Sequence, residues 1–227
     1  MTTAPAARPA APTRPTRPTR PTGPTRPTAD RSRRWSQTLM GWLEYLAHPV
    51  AAGAAFAILC LGVVTWLPAL AAVGHALRAW RSDGDGRTFT GVFRAFRAYL
   101  RPLLGHAVAS TAGLALLAVD VVFLVGRTGP GALVLVTLAI GLLVASVPYH
   151  LALAVVAAAR PAGSVRTWVP GALWFAFASV PRGTALLSAA VATPVFSLVI
   201  PAGPLLLCAS VPVLVGLVIL DQTEDDA

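Results

Sequence analysis

Three observations predict an all-α fold, a polytopic transmembrane helical bundle. Hydrophobic residues make up 56% of the chain, its mean hydropathy is +0.68, and its apolar residues fall into long runs separated by short basic ones. Only 12% of the residues are charged, about half the share usual in soluble domains, roughly 25%. The expected architecture has about five spans with amphipathic helices at their interfaces. All 18 basic residues are Arg and there is no Lys or Asn, as a GC-rich coding bias would produce, so an Arg here carries little information about bidentate recognition. The net charge of +9 sits in a tail and in segments flanking apolar runs. That pattern suits anionic lipid headgroups and argues against nucleic acid.

Two domains follow from composition: residues 1–34 and 35–227. The first repeats Pro every third residue from Pro12 to Pro27, with Thr and Arg between. This is a polyproline II pattern with nothing to bury, so it is expected to be a disordered tail that attracts anionic lipid or offers a PxxP ligand. Trp35, Leu39, Trp42, Leu43 and Leu46 then recur at helical spacing, which predicts an interfacial lead-in helix. The uncharged run Pro49–Val73 has the length of a span, about 20 residues, with a bend expected at Pro68. A Ser-Asp-Gly-Asp-Gly break follows. Phe89, Val92, Phe93, Phe96 and Leu100 share one helical face and Arg94, Arg97 and Arg101 the other, which predicts an amphipathic helix lying in the headgroup layer.

Four more spans are expected at Leu103–Val125, Ala132–Ala159, Leu186–Ile200 and Leu205–Leu220, the last two joined as a tight hairpin by Pro-Ala-Gly-Pro. Arg160–Arg182 supplies arginines and aromatics ahead of the fourth span, so the order basic helix, span, span occurs twice. We read this as a degenerate two-fold parallel repeat. The positive-inside rule places Arg78–Arg101, with six arginines, and Arg160–Arg182, with three, in the cytoplasm, against the single Arg127. A single crossing by Pro49–Val73 then leaves the Arg-rich tail outside, which the same rule disfavours. A re-entrant hairpin would keep every basic segment on one side; length favours the single crossing.

The segment Pro68, Ala69, Ala72, Arg78, Trp80, then Phe89, Phe93 and Phe96 with interleaved arginines resembles the YesL-like membrane proteins, a bacterial family of unknown function. The likeness covers residues 35–220 in layout and is specific over 67–101. It implies a helical integral protein of the cell membrane linked to carbohydrate uptake alongside ABC-type sugar importers, and it brings no catalytic residues.

Ionisable residues inside spans are costly and suggest function. His106, Gly113, Asp120 and Arg127 are each seven apart and form one stripe on the second span, and His150 in the third could approach it. The stripe reads either as a polar lining or proton relay, or as ends that snorkel, with Asp120 paired to Arg127. The four histidines have no ligand spacing, so no metal site is expected. Cys60 and Cys208 lie in apolar runs as small hydrophobes. Gly105, Ala109 and Gly113, with Gly141 and Ala145, predict close packing between spans two and three. No nucleophile, phosphate-loop or paired-carboxylate pattern is present, and no cofactor is expected. The expected function is a non-enzymatic accessory to sugar uptake. The alternatives are a small transporter or channel using the polar stripe, or a scaffold presenting the tail.

Overall fold

The computed structural model describes residues 27–225, and within them the fold is all-helical. Residues 1–26 of the Pro/Thr/Arg-rich tail lie outside the described residues. The chain divides into two compact units, Met1–Met40 and Gly41–Ala227, and the account below concerns the second. The helices are α1 (Pro27–Leu59), α2 (Trp66–Asp83), α3 (Thr88–Val125), α4 (Pro130–Ala159), α5 (Val165–Phe177), α6 (Val180–Ser197), α7 (Gly203–Leu207) and α8 (Ser210–Asp225). The described part of α1 includes residues 27–34, inside the segment expected to be tail.

Pro49–Val73 is not one crossing. The apolar run breaks at Cys60–Thr65, where Thr65 Oγ1 donates to the carbonyls of Leu59 and Gly62 and a 3-10 turn spans Val63–Thr65. The chain then reverses: Trp80, near the end of α2, packs against Tyr45 and His48 of α1, with ring centroids 5.6 and 4.6 Å apart. Tyr45–Leu59 is about 22 Å long at 1.5 Å per residue, short of the roughly 30 Å hydrocarbon layer. The bend expected at Pro68 is also absent. Pro68 sits in the first turn of α2, where its missing N–H would have had no intrahelical partner anyway. Gly84, with φ 68°, ends α2 by directing its N–H to the Trp80 carbonyl, a conformation that costs glycine little.

The amphipathic segment after the break is not a separate surface helix. It continues through Pro102 as the first part of α3, since an internal proline costs the α-helix one backbone bond and neighbouring helices can compensate. Thr88, Val92, Ala95, Tyr99, Leu103 and Ala107 form its buried seam, three or four residues apart as helix packing requires. Phe89, Phe93 and Phe96 flank that seam, with Phe89 exposed. α5 is the surface helix that the second basic segment promised. Its Trp168, Ala172, Phe175 and Ala176 are buried, Trp174 and Phe177 are exposed, and the bend to α6 is 95°. The order basic helix, apolar helix, apolar helix thus recurs with unlike joints, straight in α3 and sharply bent between α5 and α6.

α6 and α8 form the expected hairpin, turned at Ala202 with φ 60°. Leu186 of α6 faces Gly216 of α8, whose added Cβ would lie 3.2 Å from Leu186 Cδ2. Three helices, α3, α4 and Gly203–Thr223, are long and apolar enough to cross a membrane, or four if the bent α5–α6 pair counts, against about five expected from apolar runs alone. The break in the first run removes one, and α6 qualifies only together with α5.

α2 lies at the centre. Ten of its residues, Leu67–Gly74, Ala76 and Leu77, are buried, and it packs against α3, α4 and α8. Such all-round burial is what a helix enclosed by other helices needs.

Candidate functional site

Pro68, Ala69 and Ala72 belong to that buried core, so the first half of the family-like motif builds the centre of the bundle. Its second half, Arg78 and Trp80, stands at the end of α2 where the basic segments meet. There Arg81 pairs with Asp221 of α8 at 3.0 Å, and His48 Nδ1 meets Thr88 Oγ1 at 2.8 Å. The Trp168 indole N–H donates to the Arg160 carbonyl at 2.9 Å. Arg160 and Arg182 line one cleft with Leu220 and Thr223. The Arg78–Arg101 and Arg160–Arg182 segments therefore share one end of the bundle, while Arg127 stands at the far end of the α3–α4 pair.

Tyr99 ties that end together. Its hydroxyl donates to the Ala157 carbonyl at 3.1 Å, and its oxygen is left to accept from His75 Nδ1 at 3.3 Å. Because a carbonyl can only accept, this arrangement assigns the proton of neutral His75 to Nδ1. Burial first, and the nearby Arg78 charge second, push the His75 imidazole below its ordinary value.

The predicted polar stripe on α3 does not assemble. His106 meets α4, where its Nε2 shares a hydrogen bond with the Tyr149 hydroxyl at 2.9 Å. Gly113 faces open space and Asp120 is exposed. Arg127 lies over the Phe123 ring, 4.5 Å from its centroid, and not on Asp120; the ring's negative face attracts a guanidinium. His150 meets the one stripe residue that reaches α4, His106, only through Tyr149. It is 7% exposed, stacks edge-on with Tyr149 and with Trp66, centroids 4.9 Å away in each case, and directs Nδ1–H to the Ser146 carbonyl at 2.7 Å. Its Nε2 is buried and has no hydrogen-bond partner among the described residues. Trp66 Nε1 donates to Thr111 Oγ1 at 3.0 Å, so the tip of the α1–α2 hairpin is held at the depth of this histidine cluster.

The small-residue ladder is also corrected. Gly105, Gly113 and Gly141 would meet nothing within 4 Å if given a Cβ, so they face outward, away from the α3–α4 contact. The close approach occurs instead at Gly53, where a Cβ would fall 1.5 Å from the Leu206 carbonyl oxygen of α7.

His75, Tyr99, Trp66 and Trp168 are the residues that sequence reasoning missed. Tyr99 carried a faint signal, seven residues after Val92 and therefore on the same helical face; the other three became visible only through their contacts. No protein-family model matches the chain, and neither a curated protein nor a solved structure matches it.

Proposed function

We propose that this chain is a non-enzymatic, multi-pass protein of the cell membrane that assists a carbohydrate uptake system of the ABC-importer type through helix contacts in the bilayer. The observation that carries the contact role is the α3–α4 extension. Between residues 108 and 147 only Ala139 is buried, although both helices are strongly apolar. Lipid satisfies such a surface, and outward-facing Gly105, Gly113 and Gly141 let another helix approach closely. The carbohydrate side rests on the likeness of residues 67–101 to the YesL-like pattern.

A transporter in its own right needs a polar path at mid-depth. The His106–Tyr149–His150 cluster favours that second reading, but Leu151–Ala158 of α4 and Leu67–Val73 of α2 fill the adjoining interior with aliphatic side chains. Packing of this kind supports the accessory role. The decisive experiment is affinity isolation of the tagged protein from native membranes in mild detergent. Importer subunits are expected to copurify with the wild type and to be lost when Gly105, Gly113 and Gly141 are replaced by Leu. Recovery of no importer component would overturn the proposal.

A further inference from the structure

Two cavities of about 250 and 300 Å³ lie between α2 and α3 and share His75, Ala95 and Ala98 in their walls. They adjoin at those three residues, together within the roughly 300–1,000 Å³ range of ligand sites, and as the two ends of one groove they differ in chemistry. At one end stand Arg87, Thr88 and Arg94, with Asp85, one oxygen of which already accepts the Arg87 backbone N–H at 3.0 Å. Among the described residues neither Arg87 nor Arg94 has an ion-pair partner, in contrast to Arg81. The other end is built from Tyr99, Pro102, Pro161 and Trp168. The polar atoms there are satisfied within the protein, Tyr99 by Ala157 and Trp168 by Arg160; both rings are buried, so that end offers the aliphatic surface of Ala98, Pro102 and Pro161 and no free donor. Behind the groove wall, Arg78 lies three residues from His75 on the same side of α2, its charge near His75 and Tyr99, though it lines neither cavity. Its Nη1 is buried with no acceptor among the described residues, and a buried charged donor left unmade is costly.

We propose that this groove binds a phosphate-bearing amphiphile, with the phosphate oxygens on Arg87 and Arg94 and the apolar portion against Ala98, Pro102 and Pro161. Guanidinium groups match phosphate in geometry and charge, and the satisfied aromatic end excludes a second polar head. The phosphate can belong to a bilayer lipid or to a soluble phosphate ester. The site stands whether or not the chain assists an uptake system.

The test uses full-length protein in a neutral maltoside detergent, with binding of fluorescent phosphatidylglycerol measured by titration. Glycerol phosphate and phosphatidylcholine serve as competitors. The double variant Arg87→Gln/Arg94→Gln is expected to weaken binding about tenfold or more, since a hydrogen bond to a charged group contributes about 1.5–3 kcal/mol and 1.4 kcal/mol is tenfold. Arg97→Gln/Arg101→Gln, at positions that line neither cavity, is expected to change it by less than about twofold on the scale of solvent-screened charges. Ala98→Trp, which fills the groove and leaves every arginine in place, is expected to reproduce the loss; it keeps the idea testable should the double variant fail to fold. Competition by glycerol phosphate assigns the site to soluble esters, and its failure assigns the site to lipid. Equal losses in both arginine pairs, or full binding by Ala98→Trp, would overturn the proposal.

Discussion

His150 is held through one ring nitrogen. Nδ1 is committed to the Ser146 carbonyl, which leaves Nε2 as a lone-pair acceptor with no donor among the described residues; such a group costs about 1–3 kcal/mol. Replacing His150 by Leu is therefore expected to leave the melting temperature in detergent unchanged or raised. A fall equivalent to more than about 3 kcal/mol, the scale of a large core deletion, would show that the imidazole does something Leu cannot. His75 leads to a pH prediction. With its imidazole held low by burial and Arg78, it is neutral near pH 7 and gains charge only as pH falls through that lowered value. Across the groove it meets Asp85, Arg87, Arg94 and Tyr99, with Trp168 at the aromatic end and Arg78 on its own helix. Binding of the phosphate probe should strengthen several-fold at acid pH, and His75→Gln should flatten that profile. His106 and His150 were legible as polar residues within apolar runs. Their partner Tyr149 was not, because an aromatic beside a proline gives no sign of which helix it will face.

At the scale of the element, the α1–α2 turn decides how the first apolar run is used. Run length alone cannot distinguish a crossing from a hairpin of two short helices, since both are continuous apolar sequence. Thr65 and Gly62 carry the turn, and neither stands out among the many Thr and Gly of this chain. The tip depends on Trp66: Trp66→Phe removes the bond to Thr111 and is expected to cost about 0.5–1.5 kcal/mol in denaturant melts. Gly53 depends on its missing side chain. Gly53→Ala would place a methyl 1.5 Å from the Leu206 oxygen and should cost about 1–3 kcal/mol, as overpacking does. Gly113→Ala, whose methyl meets nothing within 4 Å, should stabilise by up to about 1 kcal/mol through helix propensity. Equal effects of the two alanines would contradict the α1–α7 contact.

For the whole molecule, α1–α2, α3–α4 and α6–α8 are helical hairpins whose bases gather at one end, with Arg78–Arg101, Arg160–Arg182 and Asp221. The first run turns back and does not cross, so among the described residues no crossing lies between Tyr45 and the Arg78–Arg101 segment. In a Cys60→Ala/Cys208→Ala background, cysteines placed at Ser82 and Thr223 should react with an impermeant thiol reagent from the same side of sealed vesicles, and one at Thr128 from the other. Labelling of Ser82 and Thr223 from opposite sides would refute the arrangement. By itself the sequence determined the solvent: apolar composition and run length make lipid the medium, and hydrogen-bond saturation in lipid makes the backbone helical. It also determined which segments are basic, since charge is a local property. Only the tertiary structure decided where the first run reverses, which glycines touch another helix, and that His75, Arg87 and Arg94 border one groove. Those facts depend on contacts between residues far apart in the chain, and neither hydropathy nor periodicity records such contacts.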